Sequence, residues 1–181
     1  MWTYIKMLLQ LLVFPSRGWE AIAISLKPFN AVVIKGFLPL VGITALSEFV
    51  PLAYYHDLTF IKALGNAIAI GGGMYASLFA SRLFLEMVLT RSVGVRLNHD
   101  KISNVALYLM GLNCLYVILS NIIPGTLTFL LFIPMLSLLV LFKSTLYMGI
   151  DEDRSINYLI FSFIGVVAVP AFICWLLTLI L

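Results

Sequence analysis

The longest apolar run in the chain, from Ile61 to Leu89, extends for about 29 residues and contains three charged side chains, Lys62, Arg82 and Glu86. A helix needs about 20 apolar residues to cross the hydrocarbon of a bilayer, so a run this long has to tilt or project beyond it. Four more apolar runs accompany it, at about 30–55, 104–123, 126–148 and 156–181. Hydrophobic residues fill 62% of the 181 positions and charged residues 10%, which leaves too little polar surface to cover a water-soluble fold. Mean hydropathy is +1.10. The sequence therefore predicts an all-α, polytopic integral membrane protein, a bundle of five transmembrane helices over residues 29–181.

Residues 1–28 read as one or two interfacial amphipathic helices on the cytoplasmic side. Thr3, Lys6 and Gln10 form a narrow polar stripe on a first short helix. A cleaved secretory signal is the rival reading, but the apolar core is short, Pro15 follows it, and no small-x-small cleavage site appears. Ser16 is placed to cap a second helix with Trp19, Ile22, Ala23 and Leu26 on its apolar face, and Pro28 ends it. Trp2 and Trp19 are expected to anchor this segment flat on the headgroups.

Sidedness follows from the cations. Lys6, Arg17, Lys27, Lys35, Arg82, Arg91, Arg96, Lys101, Lys143 and Arg154 fall on or near the side of the amino terminus, and Lys62 falls opposite. The positive-inside rule then puts the amino terminus in the cytoplasm and the carboxyl terminus across the membrane. The bacterial inner membrane is the expected location. The net charge of +3 is accounted for by such flanking residues, so nucleic acid is not expected as a partner. The partners expected are the lipid bilayer and, beyond it, other membrane proteins or a second copy of the chain. Cys114 and Cys174 sit inside apolar runs and give neither a disulfide framework nor a zinc site.

Within the second run, Gly65, Ala69, Gly73, Ser77 and Ser81 recur every fourth residue. Lipid tails give helices little hydrophobic reason to associate, so a line of small residues that lets backbones approach marks this run as the central packing helix. The triple glycine Gly71, Gly72 and Gly73 can alternatively be read as a hinge. Charged groups at membrane depth form a second pattern. Lys35, Arg82, Glu86 and Lys143 lie within about two turns of the cytoplasmic ends of their runs, where long side chains snorkel, and Arg82 and Glu86 are spaced to pair. Glu48 differs, being short and in the outer half of its run. At similar depth are Asn66 and the set Asn113, Tyr116 and Ser120, so these five residues form a candidate intramembrane polar cluster, with Glu48 placed to take up and release a proton. An interhelical hydrogen bond, with Lys62 as one partner, is the structural alternative.

The stretch Pro15-Ser-Arg-Gly-Trp19-Glu-Ala-Ile22 resembles the start of many prokaryotic members of the Ypt-interacting protein (Yip) family. Gly-Leu-Asn-Cys-Leu from Gly111, Ile-Pro-Gly at Ile123 to Gly125, Ile133-Pro134, and Tyr147-Met-Gly149-Ile are similar to that family's five-span region. The resemblance implies a five-helix membrane domain with a cytoplasmic amino terminus. Eukaryotic members are associated with Rab GTPases, but their Asp-Leu-Tyr-Gly-Pro motif does not occur here, so no functional residue and no GTPase partner is carried over. Enzymatic chemistry is not expected. His56 and His99 fall on opposite faces, and no His-Glu-x-x-His, Gly-x-Ser-x-Gly or phosphate-binding loop occurs. No cofactor or metal site is expected, and no catalytic residue is assigned. The sequence reads best as a membrane scaffold or adaptor, with a small transporter or channel component around Glu48 as the alternative.

Overall fold

The structure is a computed structural model and describes residues 1–25, 28–92, 99–123 and 132–180. All regular elements among the described residues are helical. We number them α1 (Trp2–Val13), α2 (Pro15–Ile24), α3 (Phe29–Ala53), α4 (Phe60–Ser92), α5 (His99–Ile122), α6 (Phe132–Met148) and α7 (Glu152–Ile180). Among the described residues four helices, α3, α4, α5 and α7, are long and apolar enough to cross a membrane. The described part of α6 has 17 residues. The turn at Pro124 and Gly125, the start of the run at 126–131, Leu26, Lys27 and Arg96 lie outside the described residues.

Large apolar side chains cover the outside of the bundle while small hydroxyls are inside it. Ile61 is 81% exposed and Leu179 65%, whereas Ser77, Ser81 and Ser162 are fully buried. A protein dissolved in water arranges these classes the other way round, so the distribution fits a membrane protein.

Two prolines shape the first and last of these long helices. Pro39 has no N–H for the carbonyl of Lys35, and its ring crowds that carbonyl. The chain accommodates it by widening into a π-helical turn, Val33–Phe37, just ahead of the proline. The same device recurs in α7, where the π turn Ile164–Ala168 precedes Pro170. The sequence reading anticipates neither turn. It also starts the third span at Asn104, whereas α5 begins at His99 and takes Asp100 and Lys101 into its first turn, where an acidic side chain suits the helix dipole.

The amino-terminal helices are part of the bundle. The expectation that both tryptophans anchor at headgroups fails for Trp19, which is 2% exposed while Trp2 is 77% exposed. The Trp19 indole donates Nε1–H to the carbonyl of Val140 in α6 at 2.9 Å and stacks on Tyr147 with ring centres 5.1 Å apart. Tyr4 donates its hydroxyl to the carbonyl of Leu107 in α5 at 2.7 Å, and Leu8 and Leu11 are buried beside it. Close approach is possible because Gly18 meets Leu11, and Gly36 meets the Tyr4 ring, without a Cβ between them. Ser16 does not cap α2 as expected. Pro15 holds the first helical position, which its fixed φ suits, and Phe14 stands at the cap.

Side-chain contacts sort the helix ends into two sets. At one end Lys101 donates to the carbonyl of Tyr147 at 2.8 Å, and the Arg82 guanidinium lies 5.0 Å from the centre of the Phe29 ring. At the other, Phe49 packs on Phe60 with ring centres 5.5 Å apart, and the Tyr54 hydroxyl lies 3.5 Å from the Ile122 carbonyl.

Candidate functional site

The α-helical part of α3 stops at Ser47, which leaves Glu48 in the turn before the closing 3-10 turn Val50–Ala53. Across from it, the last turn of α5 presents Asn121. One amide nitrogen serves two acceptors: Asn121 Nδ2 donates to Glu48 Oε1 at 2.8 Å and to Ser47 Oγ at 3.0 Å. The half-buried carboxyl thus has a neutral hydrogen-bond partner. Among the described residues no ion pair joins it to Lys62, which is exposed.

Among the described residues no hydrogen bond joins Glu48 to the other members of the expected polar cluster. Asn66 is half-buried on α4 and Ser120 is exposed on α5. Asn113 donates Nδ2–H to the carbonyl of Val166 in α7 at 2.8 Å. Val166 lies four residues before Pro170, so its carbonyl has lost its ordinary α-helical donor, and Asn113 supplies one from a neighbouring helix.

Asn113 and Tyr116 also line a cavity of about 230 Å³ where α4, α5, α6 and α7 meet. Its walls are otherwise mostly apolar, including Ile70, Met74, Val117 and Pro170, with Ser137 contributing a further hydroxyl. The polar residues therefore form two sets, Glu48 with Asn121 and Ser47 at the helix ends, and Asn113 with Tyr116 and Ser137 around the cavity. Sequence spacing missed Asn121 and Ser137. Asn121 stands eight residues after Asn113, two helical turns along a similar face, and that spacing was the available signal.

The line of small residues on α4 runs against neighbouring helices over most of its length. Ala69, Ser77 and Ser81 are buried, and a Cβ at Gly73 would come within 2.7 Å of Cys174 Sγ on α7. At Gly65 a Cβ would meet nothing within 4 Å. The approach is reciprocal further along, where Gly165 of α7 sits against Phe84 and Leu85 of α4.

At the basic end Arg82 Nε pairs with Glu86 Oε1 at 2.9 Å, one helical turn apart, and His99 Nδ1 lies 3.6 Å from the same oxygen. Among the described residues neither Lys35 nor Lys143 forms an ion pair with Glu86. Lys35 lines a groove with Thr3, Tyr4 and Tyr108, and Lys143 lines another with Ser16, Glu20 and Lys101. Among the described residues no three His, Cys, Asp or Glu side chains converge as a metal site would require.

No family model matches this chain, and neither a curated protein nor a solved structure matches it.

Proposed function

We propose that this chain is a non-enzymatic integral membrane protein with five crossings, a scaffold or adaptor of the Yip type, in the inner membrane of a bacterium. α6 makes the fifth crossing: 17 residues reach about 25 Å at 1.5 Å each, close to the hydrocarbon thickness of about 30 Å. The cations surrounding the amino terminus face the cytoplasm, and the carboxyl terminus lies on the other side. The observation that carries the scaffold reading is the anchorage of α1 and α2 through Tyr4 and Trp19 to carbonyls of α5 and α6. That anchorage fixes the exposed Thr3, Lys6, Arg17 and Glu20 on a rigid platform, and a preorganised surface binds with less ordering cost than a mobile one.

Photo-crosslinkers placed singly at Lys6 and Arg17 in native membranes test it. A discrete protein adduct from either position is the expected result, and lipid adducts alone overturn the adaptor. A carboxyl-terminal reporter active only outside the cytoplasm is expected, and cytoplasmic activity removes the fifth crossing.

The Glu48–Asn121 contact favours a second reading, a small transporter component. In that case Glu48→Gln abolishes a solute-dependent rise in melting temperature that the unaltered chain shows, and a scaffold shows no such rise.

A further inference from the structure

The geometry points to the cavity between α4, α5, α6 and α7 as a binding site for a neutral, mostly apolar molecule whose head carries a hydrogen-bond-accepting carbonyl, of which an alkylated quinone is the type.

The shape comes first. At about 230 Å³ the space is below the roughly 300–1,000 Å³ of sites that enclose a whole drug-sized ligand. It accommodates a ring-sized head, with an alkyl tail left to run out between helices into lipid. Four helices contribute to its wall, and Pro170, which follows the π turn of α7, is part of it.

The chemistry of the lining selects the head. Among the described residues no charged side chain lines the cavity, so a phosphate, carboxylate or ammonium would arrive without a counter-charge in a low-dielectric setting. Ser137 is 4% exposed, lines the cavity, and its hydroxyl has no hydrogen-bond partner among the described residues. Buried hydroxyls in membrane helices ordinarily close on a carbonyl of the preceding turn, as Ser144 does on Leu141 and Thr145 on Phe142. The Tyr116 hydroxyl likewise has no partner among the described residues. The Asn113 amide is different, because its N–H already serves Val166. Two residues of an otherwise oily lining therefore carry O–H donors without a partner among the described residues, and these call for an acceptor. A ketone or quinone oxygen supplies one, and the ring and tail satisfy the remaining walls.

The full-length chain in detergent, titrated with a decyl-substituted benzoquinone, decylbenzene and decyl phosphate, tests the site through melting temperature. The quinone is expected to stabilise about tenfold more tightly than decylbenzene, and decyl phosphate is expected to give no more stabilisation than decylbenzene. Tyr116→Phe combined with Ser137→Ala is expected to bring the quinone down to the decylbenzene level while decylbenzene is unaffected. Should that pair fail to fold, Tyr116→Phe alone removes one oxygen and keeps the ring, and it is expected to weaken quinone binding about fivefold. Equal affinity for quinone and decylbenzene in the unaltered chain overturns the assignment. So does quinone affinity that survives loss of the hydroxyl or hydroxyls.

Discussion

The two ends of the bundle are joined in different ways. At the basic end, rings from the amino-terminal helices reach carbonyls of distant helices, Tyr4 to Leu107 and Trp19 to Val140, and each ring is itself buried. At the far end, a half-buried amide, Asn121, links α5 to the turn near the end of α3, and the Tyr54 contact at 3.5 Å is longer than an ordinary O–H···O bond. The difference shows where cohesion resides when lipid removes most of the hydrophobic reason for helices to associate. A ring contributes dispersion over its whole area and a hydrogen bond at its tip, and carbonyls inside a helix still offer a second lone pair. A lone amide contributes the hydrogen bond alone.

The sharpest way to break the comparison is Trp19→Ala. It is expected to cost about 3 kcal/mol or more, through a cavity beside Tyr147 and an unused donor, read as a lowered unfolding midpoint of the purified chain in detergent. A cost below about 1 kcal/mol would make the two ends equivalent. At the far end Asn121→Leu is expected to cost about 1–3 kcal/mol, because Glu48 keeps its place and loses its donor. Adding Glu48→Leu to that variant is expected to recover part of the loss, and a strictly additive double variant would show that the two side chains do not interact.

The smallest effect sharpens the basic end. Tyr4→Phe is expected to cost about 0.5–1.5 kcal/mol at neutral pH through the bond to Leu107. Burial pushes the Tyr4 phenol well above its ordinary value of about 10, so the native state holds the proton more tightly than the unfolded chain does. The stability this supplies is therefore fully present below about pH 10 and declines as pH rises beyond it. The Phe variant is expected to show a shallower loss across that alkaline range. Parallel pH profiles would assign the alkaline loss to other groups.

The helices themselves were legible because apolar runs of this length admit few alternatives in a bilayer. Ile22 and Trp19 were likewise recognisable as an apolar face. What they face was not, since headgroups, lipid tails and a neighbouring helix all accept the same side chains, and only the Val140 carbonyl distinguishes them. The polar set around Glu48 was legible as a depth and not as a geometry. Asn113 stands eight residues, about 12 Å of helix, from the Asn121 that meets Glu48, so a depth read from span positions is too coarse to decide which pairs meet. The pairing of Asn113 with Val166 had a signal that spacing arguments pass over, namely that a proline inside a span frees the carbonyl one turn earlier.

The Trp19–Val140 bond spans 121 positions of chain and the Tyr4–Leu107 bond 103. During synthesis α1 and α2 therefore have no seats until α5 and then α6 have been made. Helices made before their partners are here among the last to be locked, so the order of synthesis and the order of assembly run opposite ways.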